Sequence, residues 1–467
     1  MPSRRRRKAT TTGWGTEPVE SSKLRIVVIG GGFAGANLTR LLKFQDHRME
    51  VTLVSEDSYT TFNPMLAEVV GATVFPEHVV APLRQTVGKA RFVMGKVGAI
   101  DVRARTIRCD TLKGEVELAY DHLVLAFGSR ARLDLIPGMA DHAVVLKTVG
   151  DAMHIRNLVL RRLAQIELES DAALRACLGR FVVIGGGFSG VEVAGAIADA
   201  LRELRRFYPA VRADELKVTL LQNVDRLLAE LPARLGIAAE RSLAARGVDV
   251  RTMTGATAIA AREVRLDKGE PIAAATTICT IGTMPNVLAA RIPDVSVERG
   301  RIVCNDDLSA RGAGNVWAIG DCALVRNGED GFAPPTAQFA VAQARHLAAN
   351  LAARCDGRPT RPFAYRSRGM MATVGHLKGV ASVFGVKLTG LPAWLLWRAY
   401  YLSQVPTLGR KLRIFVEWTW GMFFPPDLTH FRFTRSHEVL DEERDGGGVQ
   451  SLANVHVRNR QPVPQES

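Results

Sequence analysis

Two glycine-rich segments of this chain have the spacing of a dinucleotide-binding loop. They are GGGFAG at 30–35 and GGGFSG at 185–190. Each follows a short apolar run, RIVVI or RFVVI, and opens a stretch compatible with a helix. In this strand–loop–helix context a pyrophosphate binds the amides of a helix N-terminus. An ordinary glycine-rich turn is the alternative for either copy, but two dinucleotide sites on one chain favour electron transfer between two nucleotides.

The three glycines of each loop are expected to have different roles. The first permits the tight turn, the second lets the backbone approach the pyrophosphate, and the third lets the helix pack on the strand. We therefore predict cofactor contacts at Gly30, Gly32, Phe33, Ala34 and Gly35 in the first loop and at Gly185, Gly187, Phe188, Ser189 and Gly190 in the second.

A polar residue follows the second strand of each nucleotide unit, where an acid typically holds the adenosine ribose hydroxyls. In the first unit the strand MEVTLV is followed by Ser55, at the more usual position, and then by Glu56 and Asp57. We predict that Glu56 takes this role, with Asp57 as the alternative. In the second unit the strand VTLL is followed by Gln222. Because a neutral amide does not repel a 2′-phosphate as a carboxylate does, we expect weak discrimination against nucleotides that carry one.

The length and charge of the chain exclude several classes of protein. With 467 residues, 47% of them hydrophobic, it can form about three domains with complete cores. Its net charge of +14 is concentrated at the two ends. Residues 4–8 read RRRRK, and residues 366–435 contain ten Arg and Lys but only two acids, Glu417 and Asp427. No nucleic-acid-binding motif accompanies these basic stretches, so we predict no nucleic-acid partner.

The spacing of the cysteines bears on the redox chemistry. The chain contains Cys109, Cys177, Cys279, Cys304, Cys322 and Cys355, with no CxxC or CxxxxC pair. This spacing speaks against a metal site and against a local redox disulfide, and a reducing cytoplasm is the simplest compartment. No run of 18 uncharged apolar residues occurs, so no spanning helix is expected.

With these motifs in place, the chain resembles the two-dinucleotide flavoprotein reductases and, within them, the type II NADH:quinone oxidoreductases. The resemblance covers roughly residues 23–428. The segments that carry it are GGGFAG (30–35), SYTTFNPMLAEVVGA (58–72), HLVLAFGS (122–129), GGGFSGVE (185–192), AIGD (318–321) and PPTAQFAVAQ (334–343). In one departure, Ala342 stands where the family's AQ motif carries Gln, with Gln343 one residue later.

The resemblance implies FAD and NADH as cofactors, with NADPH as an alternative donor because of Gln222. It implies that a hydride passes from NADH to the flavin and that two electrons then pass from the flavin to a membrane quinone, without proton pumping. The candidate catalytic residues are Glu192 and Gln338. Beyond the two loops, Glu56 and Gln222, the implied cofactor-binding residues are Asn63, Pro64, Gly128, Gly282, Gly320, Asp321, Ala337 and Gln338.

The predicted fold class is α/β, with two Rossmann-like dinucleotide-binding domains, the second inserted in the first, and a C-terminal membrane-docking region. Alternating short strands from Phe92 to Leu118 predict a small antiparallel excursion. The predicted limits are a disordered basic tail at 1–22, FAD-binding segments at 23–145 and 301–362, an NAD(P)H-binding domain at 146–300, a membrane-associating region at 363–437 and a disordered tail at 438–467.

Two candidate catalytic residues have an ordinary structural alternative. We expect Glu192 in the first turn of the helix after the second loop. There it positions the nicotinamide or relays a proton, or it is an ordinary acid that stabilises the N-terminus of its helix. Gln338 belongs to 334–338, which either faces the flavin and quinone or is an ordinary helix start with Pro335 near its first turn.

The C-terminal region has the composition of an interfacial segment. Four of the six tryptophans fall between 391 and 424, with Arg and Lys interleaved. This pattern predicts docking on a membrane surface, as a peripheral protein on the cytoplasmic face of the cell membrane. Core packing or contact between copies in a homodimer is the alternative.

Three other functions stay open at this point. A sulfide:quinone oxidoreductase would use a redox pair such as Cys177 and Cys355. A soluble NAD(P)H-dependent reductase of an iron–sulfur protein would need a less aromatic C-terminal region. A nucleotide-sensing binding protein would hold both nucleotides with little turnover.

Overall fold

The fold is described from a computed structural model, which describes residues 23–43, 47–328, 331–405, 407–425, 427 and 429–430. Both predicted disordered tails, 1–22 and 438–467, lie outside the described residues. The chain divides into two compact units after Pro426, and every helix and strand of the described residues belongs to the first.

The first part of the chain forms a mostly parallel sheet with an antiparallel extension. Its strands are β1 (Leu24–Ile29), β2 (Met49–Ser55), β3 (Tyr59–Thr61), β4 (Val80–Pro82), β5 (Arg91–Asp101), β6 (Thr106–Thr111), β7 (Gly114–Ala119), β8 (His122–Leu125) and β9 (Ser129–Ala131). Its helices are α1 (Phe33–Leu42), α2 (Leu66–Val70) and α3 (Leu83–Thr86). Strands β5, β6 and β7 pair antiparallel, which confirms the predicted excursion.

The second part of the chain contains a smaller, wholly parallel five-stranded sheet, a separate antiparallel sheet of three strands and its own helices. Its strands are β10 (Ala143–Val145), β11 (Arg180–Ile184), β12 (Lys217–Leu221), β13 (Asp249–Arg251), β14 (Ala256–Ala260), β15 (Glu263–Leu266), β16 (Ile272–Ala273), β17 (Thr276–Cys279) and β18 (Thr283–Pro285). Its helices are α4 (Met139–His142), α5 (Val149–Leu168), α6 (Ala172–Leu178), α7 (Phe188–Leu204) and α8 (Ala233–Ala244). The sheet has the order β10-β17-β11-β12-β13.

The chain then returns to the first sheet through β19 (Val297–Glu298), β20 (Arg301–Val303), β21 (Val316–Ala318), β22 (Ala323–Leu324) and α9 (Ala337–Cys355). The first sheet has the order β21-β8-β1-β2-β5-β6-β7, so a strand from beyond the second sheet completes it. This order confirms that the second nucleotide unit is inserted in the first. The antiparallel pair of β9 and β18 forms where the chain leaves the first unit and comes back.

The apolar runs of the sequence are covered on both faces of each parallel sheet, because consecutive residues of β1 and of β11 are all buried. Ile26 and Val28 of β1 are fully buried, and so are Val182 and Val183 of β11. Helices α1 and α9 pack side by side in the first unit. Strand β10 pairs with β17, so residues 143–145 lie in the second sheet although the predicted limit falls after them; the domain limits themselves stay predictions.

The C-terminal region is a three-stranded antiparallel sheet followed by two helices. These elements are β23 (Gly369–Thr373), β24 (Gly379–Val383), β25 (Val386–Gly390), α10 (Leu391–Gln404) and α11 (Leu408–Trp420). The region packs against the second nucleotide unit through β23 and α7. At this contact a methyl group added to Gly195 would lie 2.8 Å from the amide nitrogen of Gly375, so the two backbones touch directly.

An ion pair reinforces this contact. Arg246 Nε lies 3.2 Å from Asp199 Oδ1, and the two side chains are only 11% and 14% exposed. Arg246 Nη2 also donates to the His376 carbonyl (2.7 Å), and the His376 amide donates to Asp199 Oδ2 (2.6 Å). The turn between β23 and β24 is therefore attached to α7 and to the end of α8.

We expect Arg246→Met to lower the free energy of unfolding by about 3 kcal/mol, because it leaves the Asp199 carboxylate buried without its cation. The double variant Asp199→Asn/Arg246→Met should recover part of that loss. Chemical unfolding followed by tryptophan fluorescence measures both. Arg265→Met, in an ion pair whose arginine is 69% exposed, is the control and should leave stability nearly unchanged. Equal losses from Arg246→Met and Arg265→Met would contradict the anchoring role.

Candidate functional site

The first glycine-rich loop joins β1 to α1 in a conformation that only glycine allows at two positions. Gly30 has a φ of +107°, and a methyl group on Gly35 would lie 1.9 Å from the Gly30 carbonyl oxygen. A methyl group on Gly32 would meet nothing within 4 Å. Gly32 caps α1 without a side-chain hydrogen bond, and the first turn contains no acid. The loop thus presents an open, positively polarised helix end suited to a phosphate.

The second loop repeats this geometry between β11 and α7. Gly185 has a φ of +108°, and a methyl group on Gly190 would lie 1.7 Å from the Gly185 carbonyl oxygen. The corresponding position at Gly187 is open within 4 Å. Helix α7 also begins without a side-chain cap or an acid in its first turn, at Phe188 and Ser189. The two loops have the same shape, and their nucleotide contacts stay predictions.

The residues after the second strands differ in their surroundings. Glu56 follows β2 directly and is exposed. Gln222 follows β12 and is half-buried: its Oε1 accepts from the Gly186 amide (3.1 Å), and its Nε2 donates to the Arg226 carbonyl (3.3 Å). The Gln222 amide therefore bridges the glycine-rich loop and the turn after β12, a role that the sequence did not indicate.

Asp321 lies in a small hydrogen-bonded network at the junction of the two nucleotide units. Its Oδ2 accepts from the Ser129 hydroxyl (2.9 Å), and the Ser129 oxygen accepts from Lys147 Nζ (3.1 Å). Ser129 begins β9 and Lys147 follows β10, so the network links three segments that are distant in sequence. The contribution of Lys147 could not be predicted from the sequence.

Gln343, one residue away from the family position, has a structural role. It is only 3% exposed, and its Oε1 accepts from the Gly320 amide at 2.7 Å. Gly320 has a φ of +75°, as its sharp turn requires. Gln343 thus holds the turn that carries Asp321.

A cleft lies between this turn and the start of α9. Its lining includes Gly320, Asp321, Pro334, Pro335, Thr336 and Phe339. Helix α9 begins at Ala337, after Pro335, and its N-cap is Thr336, whose hydroxyl accepts from the Phe339 amide at 3.5 Å. The cleft brings AIGD (318–321) and PPTAQFAVAQ (334–343) together.

Gln338 already has partners within the protein. Its Oε1 accepts from the Tyr365 hydroxyl (3.0 Å) and from the Arg368 amide (2.9 Å), and its Nε2 donates to the Gly369 carbonyl (3.2 Å). The side chain therefore fastens the segment that enters β23 to the first turn of α9. Its contact with quinone stays a prediction.

The other predicted cofactor residues lie on turns around the first unit. Asn63 is exposed and Pro64 half-buried in a single 3-10 turn, Asn63–Met65. The Phe33 ring, at the start of α1, lies 5.6 Å from the Phe62 ring centroid beside this turn. Ala34, the next residue of α1, is buried. Gly128 and Gly282 have φ values of +65° and +82° at the turns before β9 and β18.

Glu192 lies in the second turn of α7 and not in its first turn as predicted, because α7 already begins at Phe188. It stands at the contact between the second nucleotide unit and the C-terminal region. The residue is 8% exposed, and its Oε1 accepts from the Thr373 amide on β23 at 3.1 Å. Burial raises the pKa of Glu192 to about 8, against the effect of this hydrogen bond. At neutral pH the carboxyl group therefore carries a proton. The sequence did not indicate the neighbours of Glu192 on β23 and α10.

The six cysteines all lie within the described residues, and none is joined to another. All six are free thiols. Cys177 lies on α6 and Cys355 at the end of α9, and burial raises the pKa of both thiols, which disfavours the reactive thiolate. The structure offers no disulfide between the two nucleotide units.

The last helix has one buried and one exposed apolar face. Ile414 and Trp418 of α11 are buried, whereas Leu412, Phe415 and Val416 are 58%, 56% and 61% exposed. Within the described part of the chain no helix is long and apolar enough to cross a bilayer.

Comparison with known proteins identifies the family of this chain. A family model described as pyridine nucleotide-disulphide oxidoreductase matches residues 24–344. The chain is 30% identical over 418 residues to "Type II NADH:quinone oxidoreductase NdhA" of Mycobacterium tuberculosis, covering 86% of this chain and 87% of that protein. It is also 30% identical over 404 residues to "Demethylphylloquinone reductase NdbB" of Synechocystis, covering 84% and 95%.

A solved structure has the same fold. The NDH2 of Plasmodium falciparum in complex with NADH superposes with a TM-score of 0.81 at 18% identity, covering 87% of this chain and 100% of that one. The chain thus belongs to the pyridine nucleotide-disulphide oxidoreductases and, within them, to the type II NADH:quinone oxidoreductases.

Proposed function

We propose that the chain is an FAD-dependent oxidoreductase that takes hydride from NADH and passes two electrons to a quinone without pumping protons. The observation that carries this function is the pair of open glycine-capped helix ends, α1 and α7, in two units joined by β9 and β18. The absence of a disulfide relay among the six free cysteines supports direct transfer to the acceptor. Because the sulfide-oxidising alternative would use a redox pair of cysteines, the free thiols do not favour it.

The residues of the first unit fit an FAD. The open end of α1 at Gly32 suits the pyrophosphate, and the exposed Glu56 suits the ribose hydroxyls. Asp321 accepts a hydrogen bond from Ser129 and lies on the turn that Gln343 stabilises, so it suits the ribityl chain. The chemistry that bound FAD would supply is acceptance of a hydride and transfer of its two electrons to a second acceptor. The protein's own contribution is orientation, since positioning alone is worth about 7 to 11 kcal/mol.

The second unit is proposed to hold NADH at the open end of α7. Gly187 leaves room for the pyrophosphate, and Gln222 lies where the adenosine ribose would approach. Because Gln222 adds no negative charge there, NADPH is the proposed alternative donor. Glu192, protonated at neutral pH, is proposed to supply a proton during quinone reduction.

The C-terminal helices are proposed to dock on the cytoplasmic face of the cell membrane, from which the quinone comes. The exposed apolar face of α11 is flanked by Arg410, Lys411 and Arg413, and cations of this kind contribute about 1 kcal/mol each on anionic lipid. A second copy of the chain is the alternative occupant of this face, as a homodimer.

Rapid mixing tests the function directly. Purified flavin-loaded protein should lose its flavin absorbance on mixing with NADH and regain it on mixing with a soluble quinone, whereas sulfide should leave the absorbance unchanged. In the same experiment Glu192→Gln should slow the quinone phase about 100-fold, because a general acid has been removed. Bleaching by sulfide, or a long-lived reduced state that quinone does not reoxidise, would contradict the function.

Two alanine substitutions in one loop should separate binding from folding. Gly187→Ala adds a methyl group to open space, so we expect unchanged stability and NADH binding weakened about tenfold. Gly190→Ala forces a methyl group onto the Gly185 carbonyl and should cost about 3 kcal/mol of stability. Calorimetry with NADH and thermal unfolding measure the two effects. Tight NADH binding by Gly187→Ala would place the nucleotide elsewhere.

Charged substitutions on α11 test the membrane proposal. Leu412→Glu/Val416→Glu places two carboxylates on the exposed apolar face, and the protein should no longer float with vesicles containing phosphatidylglycerol. Leu112→Glu/Leu168→Glu is the matched control, because both leucines are 89% exposed elsewhere. If the Leu412→Glu/Val416→Glu variant still floats but has half the molecular mass of the unaltered protein in solution, the α11 face belongs to the homodimer contact.

A further inference from the structure

The proposed docking helix, α11, is fastened to a turn of the first nucleotide unit. This is the single 3-10 turn Pro76–His78, which directly precedes β4. His78 Nδ1 lies 2.7 Å from Glu417 Oε1, and the two side chains are only 17% and 13% exposed. The same carboxyl oxygen accepts from the Phe75 amide at 3.4 Å. The contact therefore joins two elements that are 339 residues apart in sequence.

A second contact lies two turns nearer the start of α11. Arg410 Nη1 donates to the Glu77 carbonyl oxygen. Because an α-helix has 3.6 residues per turn, Arg410 and Glu417 lie on one face of α11. Leu412, two residues after Arg410, lies on the opposite side and is 58% exposed. Helix α11 thus binds the first unit with one face and presents its apolar side chains outward.

The turn at 76–78 is connected to the first glycine-rich loop. Strand β4, which follows the turn, pairs antiparallel with β3. Directly after β3, the Phe62 amide donates to the Val79 carbonyl at 2.7 Å. The Phe62 ring centroid lies 5.6 Å from that of Phe33, the first residue of α1. The contacts of Glu417 therefore continue, through the residue after His78, to the open end of α1.

Helix α10 reaches the same segment by a separate route. The Tyr401 ring centroid lies 5.8 Å from that of Phe62 and 4.6 Å from that of Trp397. Trp397 is 1% exposed, and its ring centroid lies 6.1 Å from that of Trp418 on α11. Both C-terminal helices thus contact the segment between β3 and β4, which lies beside the first loop.

The contact between His78 and Glu417 is polar although it is buried. Glu417 Oε2 is also buried and has no hydrogen-bond partner within the described part of the chain. A carboxyl group in such a place adds little to stability, because its desolvation offsets much of what its hydrogen bonds contribute. Its bonds to His78 and to the Phe75 amide are directional, however, and they fix where α11 lies along the turn, which apolar packing alone does not specify.

We propose that His78 and Glu417 are positioning residues for quinone reduction: they fix the docking helix to the segment beside the first loop, so that helix and loop keep one relative position at the membrane. This inference rests on the proposed function, in which α11 lies on lipid and FAD occupies the first unit. A quinone in the bilayer approaches at the docked helix, whereas a quinone dissolved in water does not depend on docking. The pair therefore matters for the first quinone and not for the second.

Two quinones separate positioning from catalysis. Glu417→Ala leaves the exposed face of α11 unaltered, so the protein should float with vesicles containing phosphatidylglycerol as before. Turnover with NADH and a long-chain quinone embedded in those vesicles should fall about tenfold, because a buried hydrogen bond is lost, while turnover with a short-chain quinone in water stays unchanged. His78→Leu removes the partner on the first unit and should give the same result.

Hydrogen exchange of the flavin-loaded protein gives a readout that does not need turnover. The backbone amides of α11 should exchange about tenfold faster in Glu417→Ala, because local opening of the helix no longer breaks the pair. Glu417→Gln retains an oxygen that accepts from His78 and should behave like the unaltered protein. Glu115→Ala, in an ion pair whose acid is 68% exposed on β7, is the control and should change neither exchange nor turnover.

The two quinones also decide what overturns the inference. Equal losses of turnover with both quinones in Glu417→Ala would mean that the pair only supports folding, and would overturn it. Unchanged turnover with the embedded quinone would overturn it as well. If the unaltered protein reduces neither quinone, or does not float, the proposed function fails instead, and the exchange of α11 still decides whether the pair holds the helix.

Discussion

The structure depends on two backbone contacts, one in each nucleotide unit, in which the third glycine of a loop touches the carbonyl of the first. A side chain at Gly35 or Gly190 would collide with Gly30 or Gly185 and push the helix away from its strand. Because the contact holds, each helix begins directly beyond its strand and directs its free amides out of the sheet. That position allows a phosphate group to lie at the helix end.

The two nucleotide sites become one catalytic unit through the segments between them. Strands β9 and β18 pair where the chain passes from one unit to the other, and Ser129 at the start of β9 reaches Asp321 of the returning segment. Lys147 adds a hydrogen bond from the second unit. Hydride transfer requires the donor and the flavin at a fixed separation, and these contacts restrict the movement of one unit against the other.

The C-terminal region does more than present an apolar helix. Its β23 supplies the amide that donates to Glu192, and its α10 brings Trp397 near the same carboxyl group. The proposed membrane-facing helix α11 contacts α10 through the Trp418 carbonyl, which accepts from Arg398. Glu192 and the surface proposed to meet the lipid are therefore connected through the packed elements of this region.

The sequence by itself determined the two nucleotide units and the steric roles of their first and third glycines, because these rest on local turns and apolar strands. It predicted the insertion of one unit in the other from AIGD (318–321), and the strand order of the first sheet decided it. It did not determine the roles of Gln222, Gln338 and Gln343. An amide both donates and accepts, so its partner depends on which backbone groups the fold brings near, and here those are the loops and turns of the protein itself. The surroundings of Glu192 were likewise decided by tertiary structure alone, because its neighbours Thr373 and Trp397 come from β23 and α10, and a carboxyl group's pKa depends on burial by elements that are distant in sequence.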